Sequence, residues 1–94
     1  MKLSDFIKVV ERGFGIPKDA IYERNREVDV VLARCVVWYV MKDLGMAYNA
    51  IARKFRMTPA SVIHGIKLVE KKRSDNKIIS DCLTKAEKEG VEVC

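Results

Sequence analysis

The sequence predicts an all-α domain of five to six helices, with a helix-turn-helix at about residues 47–72. Three observations carry this reading. Apolar residues recur at helical spacing in five successive stretches. Glycine and proline mark the ends of those stretches: Gly13, Gly15 and Pro17, then Gly45, Pro59 and Gly90. Two of the stretches follow each other closely within residues 47–72, with a turn of about three or four residues between them.

Met1 to Phe14 forms the first expected helix. Ser4 or Leu3 marks its start, and Asp5 in the first turn suits the positive end of a helix dipole. Phe6, Val9, Val10 and Gly13 share one face. Residues 17–20 are read as a short helical turn. Residues 22–27 are polar and basic and read as a connector.

Glu27 to Leu44 is the longest expected helix. Val28, Val31, Leu32, Cys35, Val36, Tyr39, Val40 and Leu44 keep the helical period. Its many β-branched residues favour a strand. The length of the period, unbroken by turn residues, decides for helix. Gly45 supplies the C-terminal cap.

Within residues 47–72, Tyr48, Ile51, Ala52 and Phe55 stand one, four, five and eight places after Ala47, one face of a helix. Thr58 then Pro59 reads as a new helix start. A threonine hydroxyl accepts an N–H of the first turn, and proline at the first helical position needs no N–H. Val62, Ile66 and Val69 form the inward face of this second helix. A helix-turn-helix sends the N-terminal end of its second helix into the DNA major groove. Here that end carries Thr58, Pro59, Ala60 and Ser61, small enough for close approach. After a polar break with Ser74 or Asp75 as N-cap, Lys77 to Glu89 makes the last helix. Val91 to Cys94 is expected to be a loose tail.

The chain has 94 residues, the size of one domain, and is read as a single helix-turn-helix unit over 1–94. No apolar run reaches the roughly 18–20 residues that span a membrane, and no leader-like N-terminus is present, so a cytoplasmic location is expected. Cys35, Cys82 and Cys94 are far apart, and His64 is the only histidine. A zinc site needs about four close ligands, so no metal is expected. Cys35 reads as a small core residue and Cys94 as a free tail thiol. No carboxylate pair or nucleophile constellation points to an enzyme. The net charge is +5. From Arg24 to Arg73 the bases Arg34, Lys42, Arg53, Lys54, Arg56 and Lys67 outnumber the acids, which concentrates positive potential around the helix-turn-helix.

Ile51-Ala52-Arg53-Lys54-Phe55, a short turn, and Ser61-Val62-Ile63-His64-Gly65-Ile66-Lys67 resemble the C-terminal DNA-binding domain of the bacterial replication initiator DnaA. Phe14-Gly15-Ile16-Pro17 and Ala33-Arg34 with Tyr39-Val40 extend the resemblance, which runs from about Phe6 to Glu87. It implies a Trp-repressor-like fold and binding to double-stranded DNA. It implies that Arg34 meets the phosphate backbone, and that Arg26, eight places earlier, enters the minor groove. His64 matches a family histidine one turn into the recognition helix, and Lys67 the basic residue after it. Cys35 replaces a family glutamine, so that contact is lost. Met57, Thr58, Pro59 and Ala60 stand where the family carries its base-reading aspartate and histidine, and only Ser61 is similar. Thr58 and Ala60 suit a thymine methyl, and Ser61 a base or a phosphate.

The expected DNA-binding set is therefore Arg26, Arg34, Lys42, Lys54, Thr58, Pro59, Ala60, Ser61, His64 and Lys67. The partner is double-stranded DNA, read with altered specificity by a domain without an ATPase part. Its service is expected to be in replication or transcription. No cofactor, membrane or small-molecule substrate is expected, and a protein partner stays open. The alternative is a helical interaction module of a mobile element or phage, using its basic face against an acidic partner.

Overall fold

A computed structural model describes residues 1–93; Cys94, with its expected free thiol, lies outside them. The helices are α1 (Leu3–Phe14), α2 (Val28–Asp43), α3 (Tyr48–Phe55), α4 (Pro59–Lys72) and α5 (Lys77–Glu89). A 3₁₀ turn at Ala20–Tyr22 precedes α2. The all-α expectation holds.

The β-branched stretch is the centre of the fold. From Val30 to Met41 only Val31 and Tyr39 escape burial. A helix apolar on nearly every side belongs in a core. α2 packs against α1, α3, α4, α5 and the 3₁₀ turn. Each fully buried valine or isoleucine contributes about 1.5–3 kcal/mol of hydrophobic stabilisation. Val28, expected on the apolar face, is 71% exposed. It is the first residue of α2 and stands before the helix reaches its neighbours.

α1 ends as the glycine pattern predicts. Gly15 adopts the left-handed conformation at φ 66°, and its N–H closes on the carbonyls of Arg12 and Glu11. It starts at Leu3, one of the two expected positions, with Asp5 in the first turn. No side chain caps it. The Leu3 N–H instead donates to the Glu92 carbonyl at 2.7 Å, and the Glu92 N–H donates to Met1 O at 2.8 Å. Lys2 and Glu92 thus form a parallel bridge. The segment read as a loose tail is paired to the chain start through Glu92.

Residues 17–20 do form a turn, closed by the Ala20 N–H on Pro17 O at 3.2 Å. It runs on into the 3₁₀ turn. The buried Glu11 carboxylate accepts the Asp19 N–H at 2.7 Å and ties this turn to α1. The last helix is capped by Asn76, not Ser74 or Asp75: the Asn76 Oδ1 accepts the Ile79 N–H at 3.1 Å. Arg73, at the end of α4, pairs with Glu87 of α5.

Candidate nucleic-acid interface

α3 and α4 pack together across the turn formed by residues 56–58. Ile51, Ala52 and Phe55 of α3 and Val62, Ile66 and Val69 of α4 are buried, as their spacing predicts. Arg56 closes α3 in the left-handed conformation, φ 55°. Thr58 is the N-cap of α4: its Oγ1 accepts the Ser61 N–H at 3.2 Å and lies 3.0 Å from the Ser61 hydroxyl. Pro59 occupies the first helical position. Thr58, Pro59, Ala60, Ser61 and His64 are all exposed, so the N-terminal half of α4 presents a free outer face.

The connector is fixed beside this end of α4. Tyr22 stacks on Phe55, centroids 4.8 Å apart and rings 18° from parallel. Asn25 folds the loop twice: its N–H donates to Glu23 O at 2.8 Å, and its Oδ1 accepts the Glu27 N–H at 2.8 Å. Arg34 reaches into the loop from α2. Its Nε donates to Ile21 O at 2.8 Å; its Nη2 donates to Glu23 O at 2.6 Å and to Asn25 O at 3.3 Å. Arg34 is 4% exposed. Two nitrogens of the guanidinium expected to meet backbone phosphate are thus already engaged, Nε by Ile21 of the 3₁₀ turn and Nη2 by the connector carbonyls. Burial lowers the pKa of this guanidinium from its ordinary value, though an arginine stays charged near neutrality.

Together these elements enclose a cleft of about 280 Å³, lined by Arg24, Asn25, Arg26, Arg34, Arg56, Met57, Thr58 and Ser61. Four arginines line it, without a carboxylate among the lining residues. The ion pairs found among the described residues, Arg73–Glu87 and Lys85–Glu89, lie elsewhere. A shallow apolar groove of about 480 Å³ continues the cleft between α2 and α4. It shares Arg34, Met57 and Ser61 with it and adds Val31, Trp38, Ala60, His64 and Leu68.

The structure therefore gathers Arg26, Arg34, Thr58 and Ser61 in the cleft, with Ala60 and His64 at the adjoining groove. Lys54, Pro59 and Lys67 are exposed but line neither concavity. Lys42 is half-buried, its Nζ 4.4 Å from the centre of the Tyr48 ring in a cation–π contact. Arg24 and Arg56 complete the cleft and were absent from the expected set. Their signal was present in sequence: one stands two places before Arg26, the other in the helix-turn-helix turn.

A basic cleft beside the exposed head of the second helix defines a helix-turn-helix domain of the DNA-binding class. The chain belongs to the bacterial dnaA protein helix-turn-helix family, whose sequence model matches residues 3–69. It is similar to the chromosomal replication initiator protein DnaA of Mycoplasma genitalium, 28% identical over 79 residues, which are 83% of this chain and 18% of that protein. The chain thus spans less than a fifth of that relative's length. Among the described residues no helix is long and apolar enough to cross a membrane.

Proposed function

We propose that this chain binds double-stranded DNA with α4 in the major groove and the connector over the adjacent minor groove. The observation that carries the reading is the cleft that sets four arginines against the capped head of α4. Arg24, Arg26 and Arg56 neutralise phosphate and release counterions, which supplies affinity for any sequence, while Arg34 holds the connector from behind. Arg26, and Arg24 beside it, suit a narrow A·T-rich minor groove, where negative potential is enhanced. On α4, Thr58, Ala60, Ser61 and His64 face outward on a helix end whose dipole is positive. Lys54 and Lys67 flank them on exposed faces and add to the phosphate field.

The head of α4 lacks the aspartate and histidine that the resemblance assigns to base reading. The reading here is therefore of a sequence other than the replication initiator's own target. The domain works as one unit over residues 1–94 in the cytoplasm, in replication or transcription, and carries no catalytic step.

Fluorescence anisotropy with short labelled duplexes tests this. Binding is expected, with a log–log salt slope of about −0.9 per phosphate neutralised. Arg26→Ala is expected to reduce preference for A·T-rich flanks. The initiator's box is expected to show no advantage over an unrelated duplex of equal A·T content. A domain that ignores every duplex but captures acidic peptides would leave the interaction-module reading in its place.

A further inference from the structure

We propose that Arg34 is a positioning residue whose contribution to DNA binding is made through the connector. It presets the loop that carries Arg24 and Arg26. This rests on the DNA-binding reading above.

The argument is geometric. The Arg34 side chain leaves the buried core helix and gathers the carbonyls of Ile21, Glu23 and Asn25, every second residue of the loop. The two residues between the last pair of contacts and just beyond it, Arg24 and Arg26, line the cleft. Arg24 is the centre of the turn closed by the Asn25 N–H on Glu23 O, and Arg26 lies inside the turn closed by Asn25 Oδ1. Each turn holds one residue locally. Arg34 ties both turns to α2, and Tyr22 on Phe55 ties the loop's start to α3. The loop therefore meets DNA already ordered, which lowers the entropic cost of association. A planar guanidinium donates along several directions at once; a lysine ammonium is a point charge on a flexible stem and does not reproduce that fork.

Two ways for Arg34 to help binding predict different behaviour. A residue that touched phosphate through its charge would be replaced well by lysine, and its effect would add to that of Arg26. A residue that positions the loop would not be replaced by lysine, and its effect would merge with that of Arg26.

The experiment is a double-substitution cycle on A·T-rich and G·C-rich duplexes, with each variant confirmed as folded by melting. Arg26→Ala in the parent is expected to weaken A·T-rich binding by roughly five- to tenfold. In the Arg34→Lys background the same change is expected to cost less than about twofold, with the A·T preference already lost. Equal effects in both backgrounds overturn the proposal. Should Arg34→Lys not fold, the parent protein still decides. Its Arg34 Nε–H is expected to exchange with solvent far more slowly than that of exposed Arg53, and to keep its chemical shift when an A·T-rich duplex is added. Fast exchange, or a large shift on adding duplex, overturns the proposal. If the parent binds no duplex, the DNA-binding reading falls and the positioning role falls with it. A slow Nε–H would then mark a purely internal tie.

Discussion

Gly65 lies so close to Trp38 that α4 has no room for a β-carbon at that point. A Cβ built on Gly65 would stand 2.8 Å from the Trp38 ring and 2.8 Å from Cys35 Sγ. Both neighbours belong to the buried helix α2 and cannot swing aside. The glycine sets the distance at which α4 lies on the core. Gly65→Ala should therefore cost roughly 1–3 kcal/mol, the range for an overpacked core. Gly13 is the control: its Cβ would meet Cys82 and Ile78 at 3.4 Å, and the site is exposed within α1. There alanine should gain about 0.5–1 kcal/mol from helix propensity. Chemical denaturation of the two variants should move in opposite directions. A neutral Gly65→Ala would mean that α2 and α4 separate easily.

Thr58 Oγ1 accepts the Ser61 N–H at the first turn of α4. Thr58→Ala should lose about 1 kcal/mol of folding stability, while Thr58→Ser should keep most of it. Thermal melts of both variants check this. An alanine variant that melts with the parent would remove the hydroxyl from its capping role.

Arg56 is a non-glycine residue at φ 55°. For an L-residue this conformation costs about 1–2 kcal/mol. Arg56→Gly should raise stability by about 0.5–1 kcal/mol once the freer unfolded chain is counted. The same change removes a cation from the cleft, so duplex binding should weaken and its salt slope should flatten by about one unit. Stability and affinity are expected to diverge in this variant. If both fall, the left-handed conformation is not a strain on the fold.

Burial pushes the thiols of Cys35 and Cys82 up to about 11 from an ordinary value of 9.0. Neighbouring Arg34 opposes the rise at Cys35, and Asp81 adds to it at Cys82. The folded chain keeps both protons where the unfolded chain gives them up. Their stabilisation is complete below pH 9 and is lost as the pH climbs through about 11. Melting temperature should fall across that window. The fall should be shallower in Cys82→Ala, whatever its starting melting temperature. An identical slope would show that Cys82 ionises as freely in the fold as outside it.

The scaffold was legible because its signals are local. Thr58-Pro59 announces a cap and a helix start within two residues. Gly15 and Gly90 announce two ends, and the spacing of Val62, Ile66 and Val69 announces a buried face. What stayed hidden depends on partners distant along the chain. Arg34 meets carbonyls 9 to 13 places away, and no periodicity marks such a contact. Glu92 pairs with Met1 and Leu3 from the far end of the chain, so a short polar-apolar tail reads as unattached. Lys42 belongs to the basic field by sequence, and its ammonium stands over the Tyr48 ring, a contact that no pattern of charges marks. Ser74 and Asp75 were plausible caps by composition; Asn76 has the extended backbone that a cap needs.

The outer face of α4 takes no part in the core: Pro59, Ala60, Ser61 and His64 are all exposed, while the helix is held by Val62, Gly65, Ile66 and Val69 on its other side. Mutations on the outer face are thus nearly free of folding consequences, Thr58 and its cap aside. Chains sharing this scaffold can drift apart in target while remaining interchangeable in fold. A library randomised at positions 60, 61 and 64 would yield mostly folded proteins, among which duplex preference alone could be selected.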